Sequence, residues 1–184
     1  MTGSHLILIL DVRRDLLITC SPHHMADKNT ILVVDDEKES GLAYFFRLFD
    51  HDGGEKFDVL GDGRIRRHRL LLHRWDCSFK FLEVFEAWHR DGESYPLCIV
   101  DMRMLDENGL IDELRGYSVA QRVREVDPGI HIVIATSKAD IDGDDLCRQV
   151  GGSTHFFQTP FSLEQEEKFV LKVHELVDEW NERN

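Results

Sequence analysis

Several features that would assign a protein to a familiar class are scarce or missing in this chain. Acidic residues outnumber basic ones, 35 against 22, and the formal net charge of −13 argues against general binding of nucleic acid. No apolar run approaches the ~20 residues that a membrane-spanning helix needs, and the short run at residues 5–10 lacks the basic leader of a signal peptide. The four cysteines form no Cys-x-x-Cys pair, so the sequence predicts reduced thiols in a cytoplasmic protein.

The most informative stretch is a run of apolar, mostly β-branched residues that leads directly into carboxylates, ILVVDDE at residues 31–37. An unbroken apolar run of this length is typical of a strand buried on both faces of a parallel sheet. Asp35, Asp36 and Glu37 would then emerge at the carboxyl end of the strand, where open α/β sheets bind their ligands. Adjacent carboxylates repel each other, and oxygen-only ligands favour a hard cation such as Mg²⁺, Mn²⁺ or Ca²⁺.

A second run repeats this design. Residues 97–101, LCIVD, are four apolar residues that end in Asp101. If the two runs are neighbouring parallel strands, Asp101 lies beside Asp35 and Asp36. Three carboxylates around one Mg²⁺ could position a phosphoryl group, with Asp101 as the nucleophile.

Two more apolar runs complete the pattern. Residues 130–135, IHIVIA, lead into Thr136, and residues 154–157 precede Thr159 and a Pro–Phe pair. In this order, ILVVDDE, CIVDMRM, VIATS and the strand before Pro–Phe resemble the receiver domain of two-component response regulators. The resemblance implies a doubly wound α/β fold, with a five-stranded parallel sheet in the order 2-1-3-4-5 and helices on both faces.

Compared with typical receivers, the chain carries an N-terminal extension and two insertions. Residues 1–28 precede the receiver domain, which spans 29–184, and contain two apolar segments, LILILDV and DLLITC, that predict a hairpin. One insertion, at about residues 61–76, is rich in arginine; we interpret it as a solvated surface, the alternative being a patch that meets phosphate or an acidic partner. The other, at about residues 105–115, is acidic and predicts an exposed helical turn, the alternative being a lid that supplies further metal ligands.

The second strand of the sheet has two candidates in the sequence. FDVL at residues 57–60 has the better strand pattern, and residues 69–75 are the alternative. Apolar spacing predicts helices at residues 38–50, 78–89, 119–126 and 144–150, and a last helix capped by Ser162 that runs to about Trp180.

The resemblance also assigns the chemistry. Asp101 would accept a phosphoryl group from a sensor histidine kinase or a phosphotransfer protein. Asp35, Asp36, Asp101 and the backbone carbonyl of Arg103 would hold Mg²⁺, which would neutralise charge on the transferring group. Phosphatases of the haloacid dehalogenase type need a second acid two residues after the nucleophile; Arg103 occupies that position, so the chain is not expected to be an enzyme.

Switching is where the sequence departs from the family. Thr136 has the position of the hydroxyl that turns toward phosphate, and Phe156 that of the rotating aromatic ring. Thr159 stands where the family has a lysine, so an ammonium that pairs with the phosphoryl group is missing, although Lys138 is near in sequence. Leu105 replaces a proline. These departures leave two hypotheses open, a phospho-acceptor and a pseudo-receiver that docks partners without phosphate chemistry.

The output is expected to pass through protein contacts with a downstream target. No DNA-binding module is expected after the last predicted helix, and no nucleic-acid or membrane partner is predicted. The sequence leaves open whether the chain forms a homodimer.

Overall fold

The computed structural model describes residues 8–10, 17–19, 30–36, 71–75, 78–106, 108–159 and 162–184. The predicted helix at 38–50, the preferred second strand at 57–60 and Glu37 lie outside the described residues. Most of the arginine-rich insertion lies outside them as well.

Nine strands and four helices are found in the described parts of the chain. The strands are β1 (Leu8–Leu10), β2 (Leu17–Thr19), β3 (Thr30–Val34), β4 (Leu71–Trp75), β5 (Leu97–Asp101), β6 (Met104–Leu105), β7 (Ile111–Asp112), β8 (His131–Thr136) and β9 (Thr154–Gln158). The helices are α1 (Ser78–Arg90), α2 (Arg115–Val126), α3 (Gly143–Val150) and α4 (Leu163–Arg183).

Five of the strands form one parallel sheet in the order β4-β3-β5-β8-β9. This is the predicted order, in which the chain starts in the middle, moves to one edge and then crosses to the other. Separately, β1 and β2 pair in antiparallel fashion, with Ile9 opposite Ile18, which confirms the predicted hairpin in the N-terminal extension.

The strand that pairs with β3 at this edge of the sheet is not the one that the sequence pattern favoured. Leu71–Trp75 pairs in parallel with Thr30–Val34, so the alternative at 69–75 is right and the preference for 57–60 as this strand is wrong. Part of the segment taken as an insertion, about 61–76, therefore belongs to the sheet. The sequence LLHRW has a weak strand pattern because an edge strand pairs on one side and need not be uniformly apolar.

The helices follow the predicted positions closely. At the start of α4, Ser162 Oγ accepts a hydrogen bond from the Gln165 N–H while the Gln165 side chain accepts one from the Ser162 N–H, a complete capping box. The helix continues past Trp180 to Arg183. None of the helices in the described ranges combines the length and apolar composition needed to cross a bilayer.

The core consists of two layers, one on each face of the sheet. In β5, Cys98 and Val100 join the layer beneath α1, α2 and α3, whereas Leu97 and Ile99 join the layer beneath α4. β3 alternates in the same way, and its apolar residues are fully buried. The two-faced burial predicted from the unbroken apolar runs is thus confirmed, and each such side chain contributes about 1.5–3 kcal/mol to folding.

The structure of the segment after Asp101 also differs from the prediction of an exposed helical turn. It is a β-hairpin, with Met104 opposite Asp112 and Leu105 opposite Ile111, and not a helical turn. The connection reads DENGL: Asp106 Oδ1 accepts hydrogen bonds from the N–H groups of Asn108 and Leu110, and Gly109 has a φ of 75°. Aspartate at the start of a turn and glycine at a positive φ are the turn chemistry that closes a hairpin.

Candidate metal centre at the carboxyl edge of the sheet

Three carboxylates converge at the carboxyl ends of two neighbouring strands. Val34, the last residue of β3, pairs with Val100 of β5, so Asp35 and Asp36 leave the sheet beside Asp101. One carboxylate oxygen from each aspartate lies within 4.8 Å of those of the other two. The predicted convergence is confirmed, because parallel register carries the two strand ends to the same edge.

This arrangement fits a hard divalent cation. Asp35 is fully buried, and Asp36 and Asp101 are partly buried. Three negative charges at this spacing repel one another in a poorly solvated place, and a cation among them relieves the repulsion. The donors are all oxygen, which suits Mg²⁺ and leaves room for the waters that this ion keeps. Binding of Mg²⁺, and a role for the carbonyl of Arg103, stay predictions.

Asp36 also contacts the hairpin. Its Oδ2 accepts a hydrogen bond from the backbone N–H of Leu105, which is separated from it by 69 residues. No local sequence pattern predicts this contact, because in the sequence Leu105 differs from the family only by replacing a proline. A carboxylate of the candidate metal centre is therefore hydrogen-bonded directly to the segment that follows Asp101.

Two backbone hydrogen bonds fix the chain just after Asp101. The Met102 N–H donates to the carbonyl of Ala135 at 3.0 Å, and the Gly116 N–H donates to the carbonyl of Met102 at 2.9 Å. A Cβ at position 116 would lie 2.0 Å from the carbonyl oxygen of Asp101, which is far too close for any side chain. Only glycine allows α2 to approach the backbone of Asp101 this closely.

The two threonines singled out in the sequence lie at the same edge. Thr136 ends β8, and Ala135 before it pairs with Asp101. Thr136 is buried, and its Oγ1 accepts a hydrogen bond from the Lys138 N–H at 3.2 Å. Thr159, also buried, follows β9 directly. The carboxylates, the hydroxyl and the position of the missing lysine are thus arranged along neighbouring strand ends.

Lys138 faces the hairpin. Its Nζ lies 3.8 Å from Glu113 Oε2, and the two side chains are 37% and 50% exposed. A long, half-exposed ion pair contributes little, typically about 0–1 kcal/mol, so the ammonium can be recruited by a stronger anion at low cost. Glu113 was counted in the sequence only as one acid among several.

Phe156 packs into the layer of α1, α2 and α3. A Cβ on Gly143, the first residue of α3, would lie 2.3 Å from the Phe156 ring, so the ring sits directly on the helix backbone. Gly143 was missed in the sequence, since nothing local distinguishes it from a loop glycine. The aromatic position and the start of α3 are therefore in direct contact.

Comparisons with known proteins give structural neighbours only. No family model matches the sequence, and no curated protein matches it. A CheY-like response regulator receiver domain protein from Methanospirillum hungatei JF-1 has a TM-score of 0.57 at 15% identity, covering 85% of this chain and 98% of that one. A receiver protein from Sinorhizobium medicae WSM419 has a TM-score of 0.53 at 20% identity, with 82% and 95% covered. A receiver domain protein from Clostridium thermocellum has a TM-score of 0.54 at 15% identity, with 84% and 98% covered.

The sheet order and the acidic carboxyl edge define a doubly wound α/β protein of flavodoxin-like topology. More particularly, the chain has the receiver-domain fold of response regulators.

Proposed function

We propose that this protein is a cytoplasmic response regulator receiver that accepts a phosphoryl group on Asp101 from a histidine kinase or a phosphotransfer protein. The observation that carries the proposal is the convergence of Asp35, Asp36 and Asp101 within 4.8 Å at the carboxyl ends of β3 and β5. The receiver fold of the structural neighbours supports it as well.

In the proposed reaction, an Asp101 oxygen attacks phosphorus. An O–P bond forms as the P–N bond of the donor's phosphohistidine breaks, and the electron pair stays on the imidazole nitrogen. Asp35, Asp36 and Asp101 would hold Mg²⁺, which supplies charge neutralisation for the transferring group. The hydrogen bonds of Met102 and Gly116 keep the acceptor backbone fixed, so the carboxylate is held in place before the donor arrives.

Thr136 is positioned to sense the new group. In the resting structure its oxygen accepts from the Lys138 N–H, which leaves the hydroxyl hydrogen able to donate to a phosphoryl oxygen. At position 159 a threonine cannot supply the charge of a lysine. We therefore propose weakened switching, with Lys138 as the side chain that provides positive charge when it leaves Glu113.

A pseudo-receiver is the second candidate function, and Thr159 is the observation that favours it. A receiver that lacks the ammonium could dock its downstream target in the resting form, without phosphate chemistry. The two candidates differ in one measurable property, the ability of Asp101 to be phosphorylated.

The test is Mg²⁺-dependent labelling by acetyl phosphate, followed by intact mass. We expect the mass of one phosphoryl group to be added in the presence of Mg²⁺ and lost in Asp101→Asn. Asp112→Asn, an acid in the nearby hairpin, is the matched control and should be labelled like the wild type. Absence of labelling in the wild type with Mg²⁺ present would favour the pseudo-receiver.

A further inference from the structure

The β6–β7 hairpin exposes an unusual amount of apolar surface. Its exposed leucine and isoleucine side chains, with their exposed fractions, are Leu105 at 47%, Leu110 at 67%, Ile111 at 58% and Leu114 at 54%. Leu105 and Ile111 are cross-strand partners, so they share one face of the hairpin. In the described residues the other large exposed apolar side chains, Phe79 and Leu171, are single residues on α1 and α4. Exposed apolar residues grouped in one short segment mark an interaction surface more often than isolated residues do.

The same segment of the chain is rich in acidic residues. Residues 104–114 contain Asp106, Glu107, Asp112 and Glu113, and no lysine or arginine; Arg103 and Arg115 flank the segment, and the charge of Arg115 contributes to lowering the pKa of Asp106, after the backbone hydrogen bond from Leu110. Asp112 is partly exposed, and Glu113 is half exposed, with Lys138 Nζ at 3.8 Å as its one opposite charge among the described residues. The hairpin therefore presents an apolar face with a negative rim, which is complementary to an apolar ridge flanked by positive charge.

We propose that the hairpin at residues 104–114 is a docking surface for a protein partner that presents an apolar ridge flanked by lysine or arginine, such as one face of an amphipathic helix. Charge complementarity selects this occupant over a second copy of the chain. A second copy would bring two acidic rims together in molecules that each carry a net charge of −13. It also selects against an anionic membrane surface, which the same rim would repel.

The docking surface is joined to the candidate metal centre through one hydrogen bond. The backbone N–H of Leu105, an apolar member of the patch, donates to Asp36 Oδ2. A cation that binds Asp36 competes for this carboxylate, so site occupancy and partner affinity are linked, and the linkage is reciprocal. This coupling rests on the proposed function, whereas the docking surface itself does not.

Docking can be tested with two synthetic amphipathic peptides, without Mg²⁺ or phosphodonor, so that the result is independent of the proposed reaction. Both peptides carry the same leucine face; one has a lysine and arginine rim and the other a glutamate rim. We expect the basic peptide to shift the amide resonances of Leu105, Leu110 and Ile111, and to bind at least about tenfold more tightly than the acidic peptide.

Variants of the hairpin distinguish specific binding at this surface from nonspecific hydrophobic binding of the peptide. The double variant Leu110→Ser/Ile111→Ser should weaken binding of the basic peptide by about tenfold or more, while Leu171→Ser, an equally exposed leucine on α4, should not. Because both positions are exposed, the variants should fold, as their amide spectra will show. Glu113→Lys is a second variant and should reduce the preference for the basic rim.

Several outcomes would overturn the proposal. Equal binding of the two peptides, shifts that map away from the hairpin, or an equal loss in Leu171→Ser would show that the surface does not select this partner. Concentration-dependent dimerisation in sedimentation that the double variant abolishes would assign the surface to a second copy. Binding to anionic vesicles that the double variant abolishes would assign it to a membrane. Finally, Mg²⁺ should move the Leu105 amide resonance; docking without this shift would refute only the coupling.

Discussion

The backbone N–H of Thr159 donates a 2.7 Å hydrogen bond to the carbonyl oxygen of Thr136. The backbone of Thr159, at the family's lysine position, is therefore adjacent to that of Thr136, whose hydroxyl is proposed to contact phosphate. Both residues are buried, so a side chain at either position works in a poorly solvated environment. If the chain switches as proposed, the backbone at positions 136 and 159 is already joined, and position 159 lacks the positive charge of a lysine.

Thr159→Lys should strengthen switching. A charge-assisted bond in this environment contributes about 1.5–3 kcal/mol, enough to shift a two-state population by about tenfold or more. We expect the lysine to widen the difference in amide chemical shifts between the free and the beryllofluoride-bound protein, most clearly at Thr136, Phe156 and α3.

Lys138→Ala is the companion variant. If the wild type already shows large beryllofluoride-dependent shifts and the lysine at 159 adds nothing, another cation supplies the charge. Lys138→Ala should then reduce those shifts, whereas Lys168→Ala, a lysine paired on the exposed face of α4, should leave them unchanged.

Mg²⁺ should raise the melting temperature of the wild type. A ligand that binds only the folded state stabilises it, by roughly 1.4 kcal/mol at ten times its dissociation constant. Asp101→Ala removes one of the three converging carboxylates, and the Mg²⁺-dependent shift should disappear. A wild-type melting temperature that is the same with and without millimolar Mg²⁺ would count against the metal centre.

Gly116→Ala should be strongly destabilising. The new methyl group would lie 2.0 Å from the Asp101 carbonyl oxygen, so α2 or the acceptor strand has to move, at a cost of about 1–3 kcal/mol or more. Gly129→Ala is the control, since its Cβ would meet only a side-chain oxygen of Asp127, at 3.3 Å. Chemical denaturation of both variants measures the difference, and a similar small loss in each would contradict the close approach of α2.

His131 should make stability depend on pH. Burial, followed by the charge of Arg183, lowers the pKa of His131 to about 4. Its Nδ1 contacts Ser153 Oγ and its Nε2 contacts Arg183, a pattern that the neutral ring satisfies with the proton on Nδ1. Burial also lowers the pKa of His155, whose ring contacts the same Ser153 Oγ.

The direction of the pH dependence of stability follows from how many protons the folded and unfolded states bind. Between pH 4 and pH 6.5, His131 is protonated in the unfolded chain and neutral in the folded one, so the free energy of unfolding rises with pH. The contribution is fully present above about pH 6.5 and lost toward pH 4, and it amounts to at most about 3 kcal/mol. Urea unfolding at pH 5 and pH 7 should show a smaller pH effect in His131→Gln. Equal pH effects in the two proteins would show that other groups dominate.

Much of the sheet was predictable because each buried strand has a recognisable local sequence pattern. β3, β5 and β8 are nearly continuous apolar runs; Asp35 follows β3 directly, whereas Asp101 and Thr136 are the last residues of β5 and β8. Parallel pairing then fixes where Asp35, Asp36 and Asp101 meet. The capping box of Ser162 and Gln165 is likewise a short-range pattern.

The rest depends on contacts that no local pattern encodes. β4 was placed wrongly because an edge strand carries polar residues, and FDVL is the better strand pattern. The segment was predicted as a helical turn because Gly116 and the helix after it match the receiver pattern better than Gly109 does; the turn chemistry of Asp106 and Gly109 is the local signal for the hairpin. The hydrogen bond from Leu105 to Asp36 and the ion pair of Lys138 with Glu113 join distant parts of the chain, so only the fold reveals them.

The neighbouring phenylalanines of β9 point to opposite layers. Phe156 rests on Gly143, whereas Phe157 packs edge-to-face on Phe169 of α4, with ring centroids 5.1 Å apart. Phe157 thus anchors the strand against α4, and Phe156 contacts the start of α3 on the opposite face of the sheet. A rotation of Phe156 can then proceed about its own side-chain bonds with the strand as a fixed pivot. If phosphorylation rotates Phe156, the change is therefore expected at the α3 surface and not at the α4 surface, so the two helical layers would respond unequally.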